Sequence, residues 1–208
     1  MGVSGKKRSI PMLLAAVAAC LIAALLGLQG CGKDQSQQDF VDGMLSIIEE
    51  NQSQTEIAEK GQAAFMAYYE SGFTDLENAA AAAESFTLSN QKDAQSLKEL
   101  QALEKPDQEA RDIADTLRSG VETMDRGNSA YAAELEKAPN QSVEERSMVF
   151  AAAAEAMNLY LEGITDIVAA CEMLREYAEE NGLEGAEDIK AWMDKFTEEK
   201  NSLEQSMQ

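Results

Sequence analysis

The 208-residue chain contains no histidine. That excludes Ser–His–Asp and Cys–His catalytic sites, imidazole-containing zinc sites and histidine-ligated haem. The carboxylate-bridged di-iron bundle, which needs Glu-x-x-His on two helices, cannot be built either. Prolines and cysteines number three each, and aromatic residues make up 6%. Bases are scarce: 17 Lys and Arg stand against 38 Asp and Glu, for a net charge of −21. Such a chain is repelled by nucleic acid phosphates and anionic headgroups, so DNA or RNA binding is not expected. No stretch alternates apolar and polar residues between turn signals, as a half-buried strand would. No Asp-x-Asp-x-Asp-Gly calcium loop occurs, and no repeat of 20–50 residues points to a solenoid.

The scarce bases are placed tellingly. Lys6, Lys7 and Arg8 precede an uncharged apolar run over residues 10–28, which ends in Leu28-Gln29-Gly30-Cys31. A basic n-region, an apolar h-region and a small residue before a cut are the layout of a secretory signal. As a helix the 19-residue run would also measure about 28 Å, close to the bilayer core, so an uncleaved anchor is the alternative. Both readings put residues 32–208 outside the cytoplasm.

Leu28 to Cys31 resemble the lipobox of bacterial prolipoproteins, with Gln29 where a small residue is commoner. The resemblance implies cleavage between Gly30 and Cys31, a diacylglyceryl group on the Cys31 sulfur, and acylation of the new amine. It further implies a covalent lipid anchor to a bacterial membrane. With Gly32 next to the lipidated cysteine, that is the outer membrane in a host with two. One acyl chain holds a protein marginally and two or more hold it durably. Residues 1–30 carry three bases and no acids, so cleavage leaves a body of −24. The membrane partner is therefore reached through the lipid and not through the body's charge.

Three segments follow: 1–30 as signal peptide, 31–38 as lipidated cysteine and polar tether, and 39–208 as a helical domain. Apolar residues recur every three or four positions from Phe40, with a polar gap over 51–56, to Tyr68, where Ser71-Gly72 ends the pattern. A second stripe runs from Leu76 to Leu103, weakening near Ser89-Asn90. Pro106 suits the first turn of a third helix, which continues to Ala138 and contains Gly120 and Gly127 as bends or close-packing points. Ser142 to Glu145 form a capping box for a fourth, which ends at Asn181-Gly182. Ile189, Trp192, Met193, Phe196 and Leu203 mark a shorter C-terminal helix. The expected fold is all-α: an up-and-down antiparallel bundle of four main helices plus that short one. Alanine runs at 79–83 and 151–154 would allow close approach. The weak regions around Asn51 and Asn90 would leave a face exposed for pairing. A lipobox, a tether and a helical domain broken at Leu100, Leu103 and Pro106 are together similar to bacterial lipoprotein families that lend no catalytic residues.

Candidate sites are few. Cys171 lies on an apolar stripe and reads as a small buried hydrophobe. Met44, Met124, Met157 and Met193 read as core. The pairs Glu49-Glu50, Glu144-Glu145, Glu179-Glu180 and Glu198-Glu199 read as solvated faces, since neighbours on a helix do not face each other. Neither a metal site nor a cofactor is expected, and no catalytic residue is assigned. Phe65, Tyr68, Tyr69 and Phe73 fall within nine residues. Phe65, Tyr68, Tyr69, Trp192 and Phe196 form a candidate ligand pocket between helices, or else the large residues of the core. The expected function is a non-enzymatic, lipid-anchored envelope protein whose acidic bundle binds a protein partner or scaffolds an assembly. The alternative is a small-molecule-binding or sensory lipoprotein.

Overall fold

A computed structural model describes residues 35–50, 57 and 60–206. Gly30, Cys31 and the apolar run over 10–28 lie outside the described residues. Helix α1 covers 35–50 and α2 covers 60–70. They are followed by α3 (Leu76–Ala102), α4 (Gln108–Lys137), α5 (Val149–Glu180) and α6 (Ala186–Ser206). A 3-10 turn and the single helical turn Val143–Arg146 separate α4 from α5. Among the described residues there is no strand, and no helix is long and apolar enough to cross a membrane. The chain is all-α, its helices packed on one another.

Contacts at the two ends fix the directions. Gln37 meets Asp107 and Asn181, so the start of α1 lies beside the start of α4 and the end of α5. Phe65 meets Tyr131 and Phe150, so the end of α2 lies beside the end of α4 and the start of α5. Helices α1, α2 and α4 therefore run one way and α3 and α5 the other. α6 returns along α5, where the Tyr160 hydroxyl meets Glu199. We call the end near Gln37 basal and the end near Phe65 distal.

The helix ends follow side-chain chemistry. Asp107, rather than Pro106, starts α4: its carboxylate accepts the Ala110 N–H at 2.9 Å. Pro106 stands one residue before this cap, outside the first turn it was expected to occupy. A carboxylate there satisfies an orphan N–H and meets the positive end of the helix dipole. The capping box at Ser142 and Glu145 is present, but it caps only the turn Val143–Arg146. α5 begins at Val149 without a side-chain cap. Residues 35–38, assigned to the tether, are already helical. Their polar side chains give no apolar period, yet Gln37 is 3% exposed.

Two apolar cores result. The basal core gathers Phe40, Met44, Ile48, Ile113, Leu117, Ile167, Leu174 and Ile189, and includes Cys171. The distal core is built from Phe65, Tyr68, Phe86, Tyr131 and Leu135 against Ala79, Ala82 and Ala83. Between their levels the inward face of α3 turns polar: Ser89, Asp93 and Ser96 are buried. The weak region at Asn90 thus faces inward rather than leaving an open face, and Asn128 donates to Ser89 across it at 3.3 Å. Asn51 lies outside the described residues. Close approach of α4 and α5 rests on glycine and not on the second alanine run, of which Ala151 and Ala154 are exposed. A Cβ at Gly120 would lie 2.8 Å from the Gly163 carbonyl oxygen, and one at Gly163 2.7 Å from that of Gly120.

Candidate functional site

At the basal end four polar side chains tie three helices. Asp107 Oδ2 accepts from the Tyr177 hydroxyl at 3.0 Å and from Gln37 Nε2 at 3.2 Å. The same Gln37 amide lies 3.3 Å from Asn181 Oδ1. Burial, reinforced by the Asp107 carboxylate, pushes the Tyr177 hydroxyl up to about 12. It therefore remains a donor at physiological pH. Phe40 packs edge-on against the Tyr177 ring at 5.8 Å. This clasp fixes the first described turn of the chain onto the bundle; its groups are engaged with one another.

The distal end is different. α2 stops in a Schellman turn: Phe73 N–H bonds the Tyr68 carbonyl and Gly72 N–H that of Tyr69, the pattern glycine favours. Gly72 has φ +67, and Phe73 follows at φ +63. For a bulky residue this left-handed conformation is an outlier that costs on the order of 1 kcal/mol or more. It is held from behind: Arg146 donates to the carbonyls of Ala138 at 2.7 Å and Phe73 at 3.1 Å. The Phe73 ring meets Tyr68, Tyr69 and Phe150 edge-on at 5.4, 5.8 and 5.9 Å. Tyr69 and Phe150 are themselves 4.8 Å apart. The outer part of this aromatic group is open, with Tyr69 and Phe150 each 43% exposed; close by in sequence, Met66 is 44%, Val143 47% and Met148 70% exposed.

The five candidate pocket residues divide between the ends. Phe65 and Tyr68 are buried in the distal core and Tyr69 lies on its open rim. Phe196 is buried in the basal core, with Trp192 half-buried against it. Trp192 lies tilted against Phe196, their ring centroids 6.5 Å apart, and carries the Lys195 ammonium over its ring at 3.9 Å. The structure thus does not bring these five residues together. A separate open groove of about 530 Å³ runs between α3 and α4, lined by Leu76, Ala80, Leu88, Leu135, Glu84 and Pro139 among others.

Cys171 is fully buried, and burial pushes its thiol up to about 12, so its reactive thiolate is suppressed at neutral pH. Met44 and Met124 are core, while Met157 is half-buried and Met193 packs at the edge of the basal core. Among the described residues no group of three or more Cys, Asp or Glu is arranged to hold a metal ion. Periodicity places Phe150 on the apolar stripe of α5 but not beside Tyr69, some 80 residues upstream; Val143 and Met148 it does not mark. Their signal is apolar side chains directly beside the acidic capping box. No protein-family model, no curated protein and no solved structure matches the chain.

Proposed function

We propose that this is a lipid-anchored envelope protein, non-enzymatic, whose acidic helical bundle holds a protein partner at a bacterial membrane surface. The observation that carries the reading is the opposition of the two ends. Cys31 lies four residues before the first described turn, and that turn is clasped to the basal end. The exposed aromatic surface lies at the other end, across the 30 residues of α4, or about 45 Å of helix. A protein anchored through Cys31 can so present its distal end away from the lipid. A chain without histidine and with a thiol suppressed by burial supports a binding role over a catalytic one.

In-cell crosslinking with wild type and Cys31→Ala tests it, alongside metabolic labelling with an alkyne fatty acid. The expected result is lipid label on wild type only, with a recurrent protein adduct that weakens at least tenfold in Cys31→Ala. Unlabelled wild type, or adducts indifferent to the substitution, would overturn the anchored reading.

The groove between α3 and α4 favours a second reading, a small-molecule-binding lipoprotein. An apolar ligand seated there would raise the thermal midpoint of the protein, and a Leu88→Glu substitution would abolish that rise.

A further inference from the structure

We propose that the distal surface formed by Met66, Tyr69, Phe73, Val143, Met148 and Phe150 is a docking site for a protein whose contact surface is apolar at its centre and basic at its rim. The inference rests on the partner-binding reading above and says where and by what chemistry the partner is held.

Three observations converge on it. The first is composition. Aromatic residues and methionine are the types enriched at the centres of protein interfaces, the rings supplying large contact area at small entropic cost and the thioether an adaptable apolar contact. Here two methionines and two aromatic rings stand 43–70% exposed at one end of a chain in which aromatics are only 6% of residues. The second is preorganisation. Phe73 is kept in a left-handed conformation at φ +63, where glycine or asparagine would sit without strain. Arg146 holds its carbonyl, and the Phe73 ring meets both Tyr69 and Phe150 edge-on. Stability alone does not call for this choice. Fixing an exposed aromatic surface in one shape lowers the entropy lost on binding.

The third observation selects the occupant. Exposed Glu70 follows Tyr69 in sequence, and exposed Glu144 and Glu145 follow Val143. The nearest base, Arg146, is turned onto two backbone carbonyls. An apolar centre bordered by carboxylates is complementary to an apolar surface bordered by Lys and Arg. A second copy of this chain would bring the same three acids face to face, within an overall charge of −21. An anionic membrane surface is repelled in the same way. A basic-rimmed protein surface satisfies all three observations.

Site-specific photo-crosslinking of the full-length protein in its native cells tests this. A photoreactive residue is placed at Met148, at Tyr69, in the groove at Leu88, and at Glu122 on the exposed face of α4. Expected is one shared protein adduct from 148 and 69, at least tenfold weaker from 88 and 122. Its crosslinked peptide should carry apolar residues flanked by Lys or Arg. Charge reversal at Glu70 and Glu144 to Lys should reduce the adduct at least tenfold while the thermal midpoint of the purified protein is kept. A homotypic adduct, a lipid adduct, or one insensitive to charge reversal overturns the proposal. Adducts arising only from position 88, and dependent on Cys31, would overturn this docking site but leave the anchored partner-binding reading standing. Adducts from no position would remove both.

Discussion

The two ends of the bundle are built from different materials. The basal core is aliphatic, with Ile113, Leu117, Ile164, Ile167 and Leu174 at 0–1% exposure. α6 covers it, and its buried polar groups are paired through Asp107. The distal core alternates alanines with aromatic rings. The Tyr68 and Tyr131 hydroxyls are buried there without a hydrogen-bond partner, and its edge is left uncovered. Burying a hydroxyl without a partner costs free energy, as does a phenylalanine at positive φ. The difference teaches that cohesion is concentrated where the chain would meet its anchor. The opposite end tolerates strain and exposed rings, which is where recognition surfaces are commonly found.

The largest effect should come from the basal core. Leu117→Ala removes a fully buried side chain from the centre of α4 and should destabilise the protein by about 3 kcal/mol. Chemical denaturation measures it. Amide exchange should then speed up at both ends together, because the basal core carries the global unfolding free energy. Acceleration confined to the basal half would contradict the view that this core supports the whole bundle.

Gly163→Ala comes next, since it attacks the α4–α5 crossing inside the basal core, between Met124 and Ile167. The added Cβ would press on the Gly120 carbonyl, a backbone atom that cannot rotate away, at a cost of about 2 kcal/mol. Trp192, the single tryptophan, sits at the edge of the basal core and reports that half alone. In Gly163→Ala its fluorescence transition should shift to lower denaturant together with the loss of helical circular dichroism. A fluorescence transition left at higher denaturant than the loss of helix would mean that the basal core does not feel the clash.

How much of this was legible in the sequence depends on what periodicity measures. Apolar spacing identifies which face of a helix is buried, so the main helices, the glycine stop at Gly182 (φ +65) and the buried Cys171 could be read directly. It does not say which end of a long neighbour a helix packs against. For that reason Trp192 and Phe196 could be grouped with Tyr68, although α6 pairs with the basal half of α5. Nor does it recognise a polar inward face. Ser89, Asp93 and Ser96 read as a weakening of the stripe in α3, whereas they continue its buried side in polar side chains. The distal surface was half visible as the aromatic group from Phe65 to Phe73. The other half arrives with Phe150, a contact only the fold creates. The segment bearing Gly30 and Cys31 lies outside the described residues, and its reading rests on the sequence.

One substitution, made at each end, should act with opposite sign. Tyr177→Phe removes the donor that binds the Asp107 carboxylate in the basal clasp and should cost about 1.5 kcal/mol, the range of hydrogen bonds to charged groups. Tyr131→Phe removes a buried hydroxyl with no partner, one whose ionisation burial strongly opposes. It should be neutral or stabilising by up to about 1 kcal/mol, because only a desolvation cost is lost. Both are read from denaturant midpoints at constant slope. If Tyr131→Phe destabilises as much as Tyr177→Phe, the distal core is not the frustrated end described here.

The smallest effect on folding should come from the most exposed apolar residue. Met148 is 70% exposed and immediately precedes the first residue of α5, where it contributes no side-chain cap. Its thioether is largely in water in the folded state, so Met148→Ser should change stability by less than about 0.5 kcal/mol. Phe150→Ser, 43% exposed and in edge contact with Phe65, Tyr69 and Phe73, should cost more, about 1 kcal/mol. A surface retained for recognition shows this separation: substitutions that barely move the unfolding midpoint should abolish the partner adduct. If Met148→Ser instead destabilised the bundle by 2 kcal/mol or so, a loss far beyond what an exposed side chain carries, the distal rim would be part of the core. The distinction between the two ends would then lie in their composition alone.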